Sequence, residues 1–165
     1  MTTKHTIAAV TLAAGVALAG ISSPALAAPT FGPLGYGGVT LGMTAKAAQA
    51  TGKIVHKPAL DSDSCSGWDL KAQRTGRDAV GLFISKKRGV AIIFAPKGVK
   101  TPQGIGIGST DAQLKRAYAK KLRTAESGFP YVAVPGNPKA HYYFLLSKGK
   151  IYEMGLALDK QDCAN

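Results

Sequence analysis

The chain has 165 residues, with 21 Lys or Arg against 9 Asp or Glu and a formal net charge of +12. Nine carboxylates, three histidines and two cysteines leave few groups for metal-dependent or acid–base chemistry. The charge balance points instead toward anionic surfaces or acidic partners.

In chain order, the first element is an export signal. Met1-Thr2-Thr3-Lys4-His5 is a short polar start, and residues 7–21 are almost wholly Ala, Val, Leu, Gly and Ile. Ser22-Ser23-Pro24-Ala25-Leu26-Ala27-Ala28-Pro29 then supplies small residues for a signal peptidase, with Ala25 and Ala27 at the third and first positions before the cut. Cleavage is expected between Ala27 and Ala28. The apolar run, roughly 15 residues, is short of the ~20 that a membrane-spanning helix needs. No Cys lies near the cut to accept a lipid. The organisation expected is a signal peptide over 1–27 and a single secreted bacterial domain over 28–165, not membrane-spanning. That domain keeps 20 basic against 9 acidic residues, a net +11, once Lys4 is removed.

Two stretches then echo each other at an offset of 66 positions. Gly38-Val39-Thr40-Leu41-Gly42-Met43-Thr44 aligns with Gly104-Ile105-Gly106-Ile107-Gly108-Ser109-Thr110. In both, a short apolar piece ends at Gly and a Thr opens a helix. The second helix is the better specified. Thr110 is an N-cap, Asp111 suits the positive end of the helix dipole, and Gln113 completes a capping box. The first, from Ala45 to Thr51, is short and is stopped at Gly52. Strand signals follow each helix: 79–85 and 90–94 around a Lys86-Lys87-Arg88-Gly89 turn, then 140–146 and 151–158 around Ser147-Lys148-Gly149-Lys150. Residues 131–134 read as a further strand. The fold class expected is α+β: two tandem helix-then-β-hairpin units, about 36–97 and 102–163, forming one antiparallel sheet with helices on one face.

Strict alternation assigns the faces of that sheet. Val80, Leu82, Ile84, Val90, Ile92, Phe94, Tyr142, Phe144, Leu146, Tyr152, Met154, Leu156 and Leu158 are expected against the helices. Phe83, Ile93, His141, Tyr143 and Glu153 are expected on the uncovered side, where apolar and aromatic groups mark a partner-binding surface. Trp68 either packs over a disulfide or joins that surface as an anchor. Cys65 and Cys163, the two cysteines of an exported chain, are expected to form one disulfide.

Motifs for catalysis are missing. His5 leaves with the signal peptide, and neither His56 nor His141 belongs to a His-Glu-x-x-His or Cys/His cluster. A Ser-His-Asp set around His141 has no nucleophile-elbow sequence to support it. Asp61, Asp63 and Asp69 crowd one Ser-rich stretch without the spacing of a calcium loop, and a solvated loop is expected there. Gly104, Gly106 and Gly108 resemble a phosphate cradle, but Ser109 stands where the third Gly of the dinucleotide fingerprint belongs. No catalytic residue, metal site or cofactor is expected, and no specific nucleic-acid motif accompanies the charge.

The Leu41-Gly42-Met43-Thr44 helix entry, its echo at Ile107-Gly108-Ser109-Thr110, the helix-then-hairpin order and the export signal together resemble the secreted β-lactamase inhibitory protein-like family. A similar Gly-Met-Thr entry occurs in envelope assembly proteins of the small outer-membrane lipoprotein type. The resemblance implies two helix-plus-sheet units whose joined sheet offers a concave surface to a protein partner. Two features depart from it. That family carries a disulfide within each unit, and its partner surface is built on acidic loops, whereas this chain has one Cys pair and is basic. No contact residue is carried over. The expectation is a secreted, non-enzymatic binding protein, an inhibitor of or interaction module for an extracellular or envelope protein. The alternatives are a small hydrolase using His141, or a basic protein that attaches to an anionic cell-wall polymer.

Overall fold

Val, Ile, Phe, Tyr and Leu cluster in short runs along the chain, and such residues favour paired strands. The structure, a computed structural model, describes residues 30–164. The expected signal peptide and the Ala27–Ala28 cleavage point lie outside the described residues. No helix among the described residues is long and apolar enough to cross a membrane.

The strands are β1 (Gly35–Tyr36), β2 (Val39–Thr40), β3 (Ile54–His56), β4 (Cys65–Leu70), β5 (Leu82–Ser85), β6 (Gly89–Phe94), β7 (Arg123–Thr124), β8 (Pro130–Val134), β9 (Asn137–Ser147) and β10 (Lys150–Leu158). Helices α1 (Ala45–Ala50) and α2 (Asp111–Tyr118) have six and eight residues. β1 and β2 form a two-stranded sheet, and the other eight make one antiparallel sheet in the order β3-β4-β5-β6-β10-β9-β8-β7.

The expected fold class is overturned. The molecule is mostly β, and its units are not a helix plus a two-stranded hairpin. Each half of the large sheet is a four-stranded meander, β3 to β6 and β7 to β10, and the two meet edge to edge where β6 pairs with β10. Cys-Ser-Gly-Trp-Asp-Leu, the sequence of β4, is rich in turn-forming residues and carries no strand signal of its own. Neighbouring strands, not its own propensity, make it extended: β4 is paired on both sides, by β3 and β5.

The Thr caps form as the sequence anticipates. Thr110 Oγ1 accepts from the Gln113 amide at 3.2 Å, and the Gln113 side chain accepts from the Thr110 amide at 2.8 Å. Thr44 Oγ1 accepts from the Ala47 amide at 3.2 Å. Capping satisfies amides that the first helical turn leaves unpaired.

One face of the large sheet carries the main core. Its central row runs through seven strands by register: Val132, Tyr142, Leu156, Ile93, Leu82, Trp68 and His56. Leu114 and Tyr118 of α2, Ala48 of α1, Val39 of β2, Phe31 ahead of β1, and Val99 and Ile105 from the β6–α2 connection bury it. Tyr142 is fully buried, and its hydroxyl donates to the Phe31 carbonyl at 2.8 Å. Burial also moves the phenols: Tyr118 is pushed up to about 12 from an ordinary 10.0, and Tyr142 is raised further.

Two β-bulges explain where alternation fails as a guide. Phe83 pairs with Ile92 but Ile84 pairs with Val90, which leaves Ala91 as an extra residue on β6. An extra residue reverses the phase of every side chain beyond it. Ile92 and Phe94 therefore lie on the uncovered face, while Ile93 is fully buried in the main core. Both are corrections to the expected faces. A second bulge, between Ile151 and Glu153, throws Tyr152 outward, 56% exposed, whereas Met154 and Leu156 keep their core positions.

Candidate functional site

The uncovered face is built from two adjacent register rows. The first runs Arg123, Tyr131, Tyr143, Gly155 and Phe94 across β7, β8, β9, β10 and β6. The second runs Ala133, His141, Ala157, Ile92, Phe83 and Gly67 across β8, β9, β10, β6, β5 and β4. Small residues, Gly155, Ala133, Ala157 and Gly67, are interspersed among the rings of these rows. At Gly155 a Cβ would clash with the edge and hydroxyl of the Tyr143 ring. The Gly lets that ring lie flat across β10.

The rings interlock edge to face. Phe83 meets Phe94 with centroids 5.9 Å apart, Phe94 meets Tyr143 at 6.3 Å, and Phe129, reaching in from the β7–β8 connection, meets Tyr143 at 6.0 Å. Tyr131 packs edge-on to His141 at 5.7 Å. Such geometry sets the positive ring edge against the negative ring face. Phe83, Phe94, Phe129, Tyr131, His141 and Tyr143 are all only partly buried. The Tyr143 hydroxyl donates to Glu153 at 3.3 Å. Burial, then the neighbouring Glu153 charge, push this phenol well above its ordinary range.

Of the residues the sequence assigns to a binding face, the structure brings four together: Phe83, His141, Tyr143 and Glu153. The other two are corrections. Ile93 faces the core because of the Ala91 bulge. Trp68 is 7% exposed and also faces the core, opposite Leu82. Its indole donates to Ser66 Oγ at 2.7 Å and its ring stacks on His56 at 4.4 Å. Cys65 points to the other face, so Trp68 does not pack over the disulfide as expected. Sequence reading missed Phe94 and Ile92, which only the bulge exposes, and Phe129 and Tyr131. Phe129 lies in a polar connection with no periodic signal, whereas Tyr131 stands in the strand expected over 131–134, to which the sequence assigns no face.

Cys65 and Cys163 form the expected disulfide, spanning 98 positions. Cys163 packs with Ala91, Ile92 and Ala157 on the aromatic face. The tail after β10 thus crosses one end of that face to reach β4. A disulfide belongs in an oxidising environment. Cys65, Asp162 and Cys163 are the one trio of potential metal-ligating residues among the described residues. Two of the three atoms are the bonded sulfurs, which are not free thiolates.

Asp61, Asp63 and Asp69 do not share a solvated loop. Asp69 lies in β4, 3% exposed, and accepts from the Thr75 hydroxyl at 2.6 Å, the Thr75 amide at 3.1 Å and the Gly81 amide at 3.0 Å. Lys57 Nζ stands 3.5 Å away and donates to the Ala79 carbonyl at 2.5 Å. This network fastens the β4–β5 connection. Asp61 faces His56 at 3.0 Å and accepts from the Gly67 amide at 2.9 Å.

Two hollows flank Asp159. The first, about 500 Å³, is lined by Arg123, Ala125, Phe129, Tyr131, Ala133, His141 and Asp159. The second, about 430 Å³, is lined by Arg88, Pro138, Lys139, Leu158, Asp159 and Lys160. The Asp159 amide donates to the Lys139 carbonyl at 3.0 Å, extending the β9–β10 ladder by one bond. That places its carboxylate 2.9 Å from His141 Nδ1. His141 therefore has an acid partner, but the lining of its hollow contains no Ser, Thr or thiol, and its one hydroxyl is the Tyr131 phenol.

No protein-family model and no curated protein matches the sequence. Among solved structures, the fold is similar to the crystal structure of the uncharacterized protein yfeY from Escherichia coli, with a TM-score of 0.47 and 13% identity. The alignment covers 78% of this chain and 99% of that one. The likeness is distant and carries no functional argument.

Proposed function

We propose that the chain is a secreted binding protein that docks an extracellular or envelope protein on the aromatic face of its large sheet. One observation carries this reading: Phe83, Phe94, Tyr143 and Phe129 form a connected line of partly buried rings on the face that the helices leave open. Contiguous apolar surface of this kind is uncommon on a protein without a partner, and aromatic rings dominate binding energy at interfaces. The Cys65–Cys163 bond fits the exported location that the N-terminal sequence leads one to expect. The resemblance to the β-lactamase inhibitory protein-like family supports a protein as the partner, without naming it.

The test is capture of a partner from culture supernatant and envelope extract by the purified domain. Alanine at both Phe83 and Tyr143 is expected to abolish capture; undiminished capture by that double variant would remove the aromatic face from consideration.

The His141–Asp159 pair favours a second reading, a small hydrolase. It predicts turnover of an ester, peptide or glycan substrate that His141→Ala abolishes. The missing Ser, Thr or Cys beside the imidazole is why it ranks second.

A further inference from the structure

We propose that the two hollows meeting at Asp159 form a binding site for an anionic glycan, a chain of sugar rings carrying acidic groups. This site goes beyond the protein-docking reading and uses the opposite end of the face from Phe83.

The first argument is charge. Arg123 stands in one hollow, and Arg88, Lys139 and Lys160 stand in the other. None of these four side chains makes an ion pair or hydrogen bond with another described residue. The one carboxylate in either lining, Asp159, is already engaged by His141. Lys86 and Lys87 share the turn that carries Arg88. Unpaired cations converging on concave surface raise a positive potential there, and an anion entering relieves their mutual repulsion.

The second argument is the chemistry of the walls. Phe129 and Tyr131 present rings beside Arg123, and a pyranose has an apolar face of C–H groups that packs flat on such rings. His141 commits Nδ1 to Asp159, which leaves Nε2 to meet a hydroxyl. Ring, cation and imidazole together match a sugar that bears an acid group, and a bare inorganic anion would use only the cation. Each hollow lies in the size range of a small-molecule site, roughly 300–1,000 Å³. Two of them in sequence, each with its own cations, suit successive residues of a linear polymer. The disulfide suits an oxidising environment, and extracellular glycans are found in such surroundings.

The experiment uses the disulfide-bonded protein and titration calorimetry. The probes are oligogalacturonate and heparin oligosaccharides, with neutral maltoheptaose and poly-L-glutamate as comparisons. At least one anionic oligosaccharide is expected to bind at about 20 mM salt and to weaken roughly tenfold by 300 mM as the cations are screened. Arg123→Ala and Lys139→Ala, both at exposed positions, are each expected to weaken binding about fivefold or more without loss of fold, as surface substitutions usually leave stability unchanged. Phe129→Ala is expected to weaken the glycan selectively. Phe83→Ala is expected to leave glycan binding intact, which separates this site from the docking reading. Any of three results overturns the proposal: neither anionic oligosaccharide binds, Arg123→Ala and Lys139→Ala both bind as the parent does, or poly-L-glutamate binds as tightly as the glycan. The last would assign the hollows to an acidic polypeptide.

Discussion

The two faces of the large sheet are made by the same strands and differ in what closes them. On one, Tyr142, Leu156, Ile93 and Leu82 stand in a register row and are covered by helices and connections until almost no surface remains. On the other, Tyr143, Phe94 and Phe83 occupy the neighbouring positions and are covered by one another, by Phe129 and by the tail leading to Cys163. Adjacent residues of one strand, Tyr142 and Tyr143, thus serve opposite ends. The lesson is that burial of an aromatic ring by other rings leaves it available, whereas burial by a second layer does not.

The contrast is breakable by measurement. Tyr142→Ala should cost the most, about 4–5 kcal/mol in urea unfolding, because it opens a large cavity and leaves the Phe31 carbonyl without its donor. A loss below about 1 kcal/mol would mean that the covered face is not the core. Reduction of the disulfide, or Cys163→Ser, should follow at about 4 kcal/mol, the loop-entropy scale for so long a closed loop, read by calorimetry. Its removal should also free the tail and raise dye binding to the aromatic face. Gly155→Val is expected to cost about 1–3 kcal/mol by driving the Tyr143 ring off β10, with altered near-ultraviolet circular dichroism as the sign that the ring has moved. Phe83→Ala should cost less than Tyr142→Ala, about 1–2 kcal/mol, since its ring is only partly buried and the face can relax. Equal costs at Tyr142 and Phe83 would erase the distinction between the faces.

Alkaline titration tests burial on both faces, since the Tyr143 phenol of the uncovered face is also raised, by burial and then by Glu153. Tyr118 and Tyr142, on the covered face, both have phenols raised by burial, Tyr118 from 10.0 to about 12. A raised folded-state value stabilises the protein below the unfolded value and is lost as pH rises through the folded one. From these groups, stability should be level up to about pH 9, then decline from about 10 toward 12. Phenolate absorbance at 295 nm in the folded protein should show part of the tyrosine content resisting ionisation above pH 10. Full ionisation there, with the fold intact, would contradict the burial.

Much of the strand content was legible because β5, β6, β8, β9 and β10 are rich in branched and aromatic residues. The helix starts were legible from Thr44 and Thr110. The face assignments failed where alternation is interrupted: nothing in Gly-Val-Ala-Ile-Ile-Phe marks Ala91 as the bulged residue, since pairing with β5 decides it. β4 was hidden because Gly67 and Ser66 carry no strand signal, and Asp69 looks solvated until its partners at Thr75, Gly81 and Lys57 are assembled in space. Of the aromatic face, Phe83, Tyr143 and His141 could be read directly. Phe129 could not, because a connection places it there and connections have no period. The hollows at Asp159 were equally invisible, since Arg88, Arg123, Lys139 and Lys160 lie far apart in the chain.

The bond between Cys65 and Cys163 also governs how the molecule would bear load. Tension applied from outside this 98-position span passes directly through the two sulfurs and bypasses β5 to β10. The contact between the two meanders, at β6 and β10, lies wholly within the bypassed segment. A molecule tethered at one end and pulled at the other would therefore lengthen only through the part before Cys65, and the aromatic face, from β5 to β9, would keep its shape while the first strand peeled away.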